Sequence, residues 1–166
     1  MKRTLLYLTL QLSIVFLAQS QNKALHYKEL QKHLPTEIMG YASEGDPMGN
    51  MFDMNDMSYS SAVREYAKGD SYLTVAIIDY IGASNMYQAS TMAWAGNMSY
   101  EDDEQKASSI TVDGMPGWFS YNKIDKEAQL ILGYKDRYLI TVSLTDTDDE
   151  DIVKTIVQKL GLSKLP

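Results

Sequence analysis

Four methionines carry the least ordinary chemistry in this chain: Met48, Met51, Met54 and Met57, each three residues after the last. A thioether is a soft donor, and in a compartment without thiols it is the natural protein ligand for Cu(I) or Ag(I). Methionine is also the adaptable filler of cores and of surfaces that accept varied partners. The ladder therefore predicts either packing and partner contact, or a soft-metal site built from Met48, Met51, Met54 and Met57. Met39, Met86, Met92, Met98 and Met115 show a general preference for the residue, which favours the first reading. The chain has no cysteine, so disulfides, thiolate nucleophiles and a lipid-modified cysteine are excluded.

Asp79 is the carboxylate with the most unusual setting. It continues the Leu73-Val75-Ile77 side of an apolar stretch, where an unpaired carboxylate is costly if buried. Arg64 and Arg137 lie on stretches that can neighbour it, so an ion pair is the leading expectation. Ligand binding or hydrolysis by Asp79 is the other, and glycosidase-type chemistry needs a second carboxylate opposite.

The only histidines, His26 and His33, sit seven residues apart in a short helical segment. No acidic third ligand has metal-site spacing, so they read as surface residues. Asp53-Met54-Asn55-Asp56 lacks the glycine and terminal glutamate of a calcium loop. There is no Gly-x-Ser-x-Gly elbow, phosphate-binding glycine loop or His-Glu-x-x-His. Nothing in the chain spells out an enzyme.

These residues must be positioned by a framework centred on Ser71–Ile81. Leu73, Val75 and Ile77 point one way and Tyr72, Ala76, Ile78 and Tyr80 the other, which predicts a central strand covered on both faces. Lys68-Gly69-Asp70 supplies a turn, and Ser58–Ala67 pairs as the other arm of a hairpin. Upstream, Ala24–Leu34 reads as a short helix stopped by Pro35, and Thr36–Ala42 as extended chain. Glu44–Met57 is rich in Gly, Asp, Asn and Pro and reads as a long loop.

Downstream, Met86, Ala89, Ser90 and Ala93 recur at helical spacing over Asn85–Ala95, and Ser99–Gln105 reads as an acidic loop. A four-strand meander follows over Lys106–Val112, Trp118–Ile124, Ala128–Gly133 and Arg137–Leu144, with Asp113–Gly117 as its first turn. Thr147 and Glu150 have capping-box spacing for a final helix with Ile152, Val153, Ile156, Val157 and Leu160 on one face. The sum is an α+β domain: one mainly antiparallel sheet with helices packed on it.

Three segments, SYSSAVREY, LTVAIIDY and GYKDRYLITV, resemble small exported bacterial proteins of unassigned function. The element order resembles the PsbP/Mog1-like sandwich, a resemblance that implies a binding or assembly role more than catalysis. The methionine spacing is similar to that of exported copper-handling proteins.

Residues 1–20 have the pattern of an export signal: Lys2 and Arg3, an apolar run from Leu5 to Ala18, and small Ala18 and Ser20. The mature part is then a single domain, residues 21–166, secreted or periplasmic. No later stretch is long and apolar enough to span a membrane. Removing Lys2 and Arg3 takes the formal charge from −7 to −9, which disfavours nucleic acid and anionic lipid as partners. The expected function is a non-enzymatic binding domain for a protein or small molecule of the cell envelope. Its working surface would be the Glu44–Ser58 loop with Tyr59 and neighbouring hairpin tyrosines.

Overall fold

The computed structural model describes residues 23–166; the expected export signal and its expected cleavage point lie outside the described residues. Chain order begins with a one-turn helix α1 (Tyr27–Gln31) and a small hairpin of β1 (Glu37–Ile38) and β2 (Tyr41–Ser43). Then come β3 (Met48–Met54), β4 (Met57–Lys68), β5 (Ser71–Gly82) and helix α2 (Ser84–Thr91). The second half holds β6 (Ser99–Glu101), β7 (Gln105–Val112), β8 (Met115–Asn122), β9 (Glu127–Tyr134), β10 (Tyr138–Leu144) and helix α3 (Ile152–Lys159). The fold is α+β.

Among the described residues all strands join one antiparallel ten-stranded sheet in the order β1-β2-β4-β5-β10-β9-β8-β7-β6, with β3 also on β4. β5 sits between β4 and β10, so this stretch of β-branched and aromatic residues is an interior strand, as expected. One sheet face is the core. Leu73, Val75 and Ile77 of β5, Ile140, Val142 and Leu144 of β10 and Leu130 and Leu132 of β9 are all fully buried there. Leu30 and Leu34 from the first helical segment, with Val153, Ile156 and Val157 from α3 and Leu160 at its C-cap, close over them.

The opposite face is only half covered. Thr74, Ala76, Ile78 and Tyr80 are partly exposed and Tyr72 is exposed, so β5 is not covered on both faces as its composition predicts. The reason is that one short helix, α2 with the turn at Met92–Trp94, serves this side. Its inward residues are Tyr87 and Trp94, while Met86, Ala89, Ser90 and Ala93 face water. The spacing of small residues therefore marked the wrong face. The close approach comes from the sheet, where bare Gly133 lies under Tyr87.

Several boundaries differ from expectation for reasons of turn chemistry. Glu44–Met57 is not a loop: β3 and β4 close through a two-residue turn, Asn55-Asp56, with Asn55 left-handed at φ 55°. Asp113-Gly114 alone makes the next turn, with both residues at positive φ, so Met115, Pro116 and Gly117 belong to β8. The acidic stretch is itself a hairpin. Asp102 accepts from the Glu104 and Gln105 amides and bends β6 into β7. Thr36–Ala42 folds back on itself at Met39-Gly40.

Helix α3 buries the expected face and ends at left-handed Gly161, but the capping box is absent. Asp151 occupies the N-cap, but its carboxylate accepts from Lys154 Nζ and from no helix amide, and Thr147 lies one turn earlier. There its hydroxyl accepts from the Asp149 amide at 3.1 Å, while its carbonyl accepts from Tyr121 Oη at 2.9 Å. Thr147→Ala removes that acceptor and the bond the same hydroxyl donates to the Asp149 carbonyl, and is expected to cost about 1 kcal/mol. Denaturant midpoints measure it, and an unchanged midpoint would leave those bonds without weight.

His33, past the end of α1, titrates below its ordinary 6.5 because burial disfavours the cation, and Lys164 and Lys32 repel it against the pull of Glu29. A histidine depressed in the folded state leaves the unfolded chain binding more protons below 6.5, so stability is lost as pH falls through that window. His33→Gln should make stability less sensitive to acid, read as a smaller drop in urea midpoint below pH 6.5 than the parent shows. An equal drop in both proteins would contradict it.

Candidate functional site

Strand alternation decides what the methionine ladder can do. Met48 and Met54 share the half-covered face with Phe52, whereas Met51 turns to the side packed by α1. Met48 and Met54 are also separated by about 20 Å, six strand residues at roughly 3.3 Å each. The four sulfurs therefore do not meet at one point. Met54 and Met57 do meet, as the register pair that closes the hairpin.

A second element completes the site. β4 and β5 pair through an irregularity between Ser58–Gly82 and Ser60–Asp79, which increases local twist beside the hairpin tip. Gly82 and Ala83 then lead directly into α2, whose first turn is closed by the Met86 amide on the Ala83 carbonyl. Between hairpin tip and helix start lies a cleft of about 450 Å³, lined by Met54, Met57, Met86, Asn55, Asp56 and the Gly82–Asn85 backbone turn. Met54, Met57 and Met86 are 55, 37 and 38 % exposed, so none is core filler. Met86 is the functional candidate the sequence pattern missed. Its place in the first turn after a long strand is the signal that marks it.

Tyr59 extends the surface away from the cleft. It stacks on Phe52 at 5.3 Å and tilts against Tyr80 at 6.2 Å, forming a half-buried aromatic row on the same face. Tyr66 and Tyr138 instead lie in the core, where burial pushes both phenols up to about 12. They are neutral packing groups at any working pH.

Asp79 is closed to ligands. Its carboxylate has no exposed surface and accepts from Arg137 Nε and Nη2, both at 2.7 Å, from the Leu25 amide at 2.8 Å and from the Ile81 amide at 3.1 Å. Four donors fill a carboxylate's acceptor capacity. The Asp79 bonds in turn hold the Arg137 guanidinium above its ordinary range, against the opposing effect of burial. Arg64 goes elsewhere, donating to the Leu34 carbonyl at 2.7 Å.

The remaining candidates are spent locally. His26 Nδ1 accepts from the Lys28 amide at the start of α1, and Asp53 pairs with Lys23 at the surface. Among the described residues no three His, Cys, Asp or Glu side chains gather as a metal cluster. The cleft lining contains no His, Lys or Arg, so no acid–base pair faces a substrate there. No protein-family model matches the chain, and no curated protein is similar to it.

Proposed function

We propose that this chain is an exported binding module that does no chemistry itself and takes its ligand in the Met54–Met57–Met86 cleft. The observation that carries this reading is the cleft's lining. Three thioethers are held at the solvent boundary by backbone from a hairpin and a helix start, with only Asn55, Asp56, Ser84 and Asn85 as polar rim. Flexible, polarizable side chains exposed in this way suit an apolar or soft ligand, and the aromatic row through Tyr59 offers it further contact. The export pattern of residues 1–20 and the acidic surface support an envelope setting without nucleic acid. No helix among the described residues is long and apolar enough to cross a membrane.

Methionine methyl NMR tests this, with the low-molecular-weight fraction of an envelope extract as titrant. The Met54, Met57 and Met86 signals should move while Met39, Met92 and Met98 stay. No movement at the first three would defeat the reading. Met54→Ser with Met57→Ser should abolish the response and change stability by less than about 0.5 kcal/mol each, because both side chains lie at the surface outside the core.

A further inference from the structure

We infer that the ligand of this cleft is a single soft monovalent metal ion, Cu(I) or Ag(I), held by the thioethers of Met54, Met57 and Met86. The inference rests on the cleft reading above and names the chemistry of its ligand. Met54 and Met57 are directly opposed across a two-residue turn, where facing side chains have Cβ atoms about 5 Å apart. Met86 borders the same cleft from the first turn of α2. Three donors from two elements thus surround one space, and each has three rotatable bonds with which to bring its sulfur inward.

Ligand softness decides the metal. Thioether sulfur selects Cu(I) and its analogue Ag(I) over Mg²⁺, Ca²⁺ or Mn²⁺, which need several oxygens. The chain has no thiol to compete for a soft ion, and the described histidines both lie outside the cleft. Asp56 also lines the cleft, and one carboxylate matches one positive charge. The remaining exposed methionines, Met39, Met48, Met92 and Met98, do not line it. A thioether carries no proton, so binding should be independent of pH between about 5 and about 8, unlike a site built on histidine.

The experiment uses Ag(I) nitrate alone as a redox-inert probe, followed by Cu(I) in competition with a colorimetric chelator. One ion should bind per chain and shift the Met54, Met57 and Met86 methyl signals together. Met54→Leu, Met57→Leu and Met86→Leu each remove a sulfur at nearly constant volume. Outer-shell changes alone cost on the order of 10–100-fold in metal affinity, so losing a direct ligand should weaken binding at least tenfold. Met48→Leu and Met92→Leu should bind as the parent does.

Binding that spreads over all exposed methionines, that persists in the three leucine variants, that rises steeply with pH, or that is absent would overturn the inference. If a leucine variant fails to fold, the parent's methyl spectrum decides alone, through shifts confined to the three residues or not. The leucine variants also separate this inference from the broader reading. A cleft that takes an apolar molecule keeps its response to the extract fraction in these variants, while a metal site loses both.

Discussion

Arg137→Met is expected to destabilise the domain by about 4–5 kcal/mol and Asp79→Ala by about 3–4 kcal/mol, near the two ends of the range for breaking a buried ion pair. The asymmetry follows from exposure. Asp79 has no accessible surface, so without Arg137 its charge keeps only the Leu25 and Ile81 amides. Arg137 is 17 % exposed, and without Asp79 it can turn partly to water. Loss of Asp79 also frees the Leu25 amide, and with it one tie holding the chain before α1 across β4 and β5. The Ala24 amide keeps its bond to Ser58 Oγ at 3.0 Å, so that segment loosens without detaching. A double variant, Asp79→Ala with Arg137→Met, should recover much of the loss, because it leaves no uncompensated charge. Denaturant unfolding of the four proteins reads all of this. Single variants within 1 kcal/mol of the parent, or a double variant as unstable as the sum, would show that the pair is not coupled.

That ion pair was half legible in the sequence, and the half that was not is instructive. Asp79 continues an apolar face, so the need for a positive partner followed from burial cost alone. Choosing between Arg64 and Arg137 required the strand order. β10 returns from the far half of the chain to pair with β5, and Tyr138 falls opposite Asp79, which puts Arg137 at its side. Nothing local in either strand encodes that pairing. The core face of α3 was readable because burial on one side imposes a period that survives in composition, whereas β5 is apolar on both sides and its period does not say which side is covered. The period over α2 and the turn after it misled because the two buried aromatics, Tyr87 and Trp94, are fewer than the small residues around them.

The methionine cleft shows the same division. The Met48–Met57 segment was conspicuous by residue type, yet its turn-forming residues outweighed its extended conformation. One left-handed asparagine, Asn55, converts that segment from a loop into a hairpin. The conversion separates Met48 and Met51 from the site, keeps Met54 and Met57 together, and lets α2 supply Met86. Two of the four ladder residues thus belong to the cleft: strand parity turns Met51 to the other face, and distance along β3 removes Met48.

Gly117→Ala should be the most damaging single-methyl change in the chain, costing about 3 kcal/mol, at the top of the usual range for overpacking. Gly117 was expected in a turn, where its backbone freedom would matter; in β8 it is the missing Cβ that matters. It pairs with Leu132 of β9, and a Cβ built there would overlap the Ile131 carbonyl oxygen and lie 2.5 Å from Leu132 Cδ2. The oxygen is backbone and Leu132 is fully buried, so neither can step aside without moving β9. Moving β9 strains its pairing with β10, and the core seam under α3 with it. Gly133→Ala is the graded comparison. Its Cβ would overlap the Tyr87 hydroxyl at 2.5 Å and touch only side-chain atoms of α2, on the half-covered face, so α2 can lift and the cost should be smaller. Gly96→Ala, with nothing nearer than 3.7 Å, should be neutral within about 0.5 kcal/mol. Midpoints ranked Gly117→Ala below Gly133→Ala below Gly96→Ala would locate the rigid seam at β8–β9. A Gly117→Ala protein as stable as the Gly96→Ala control would mean that the two strands lie further apart than this packing requires.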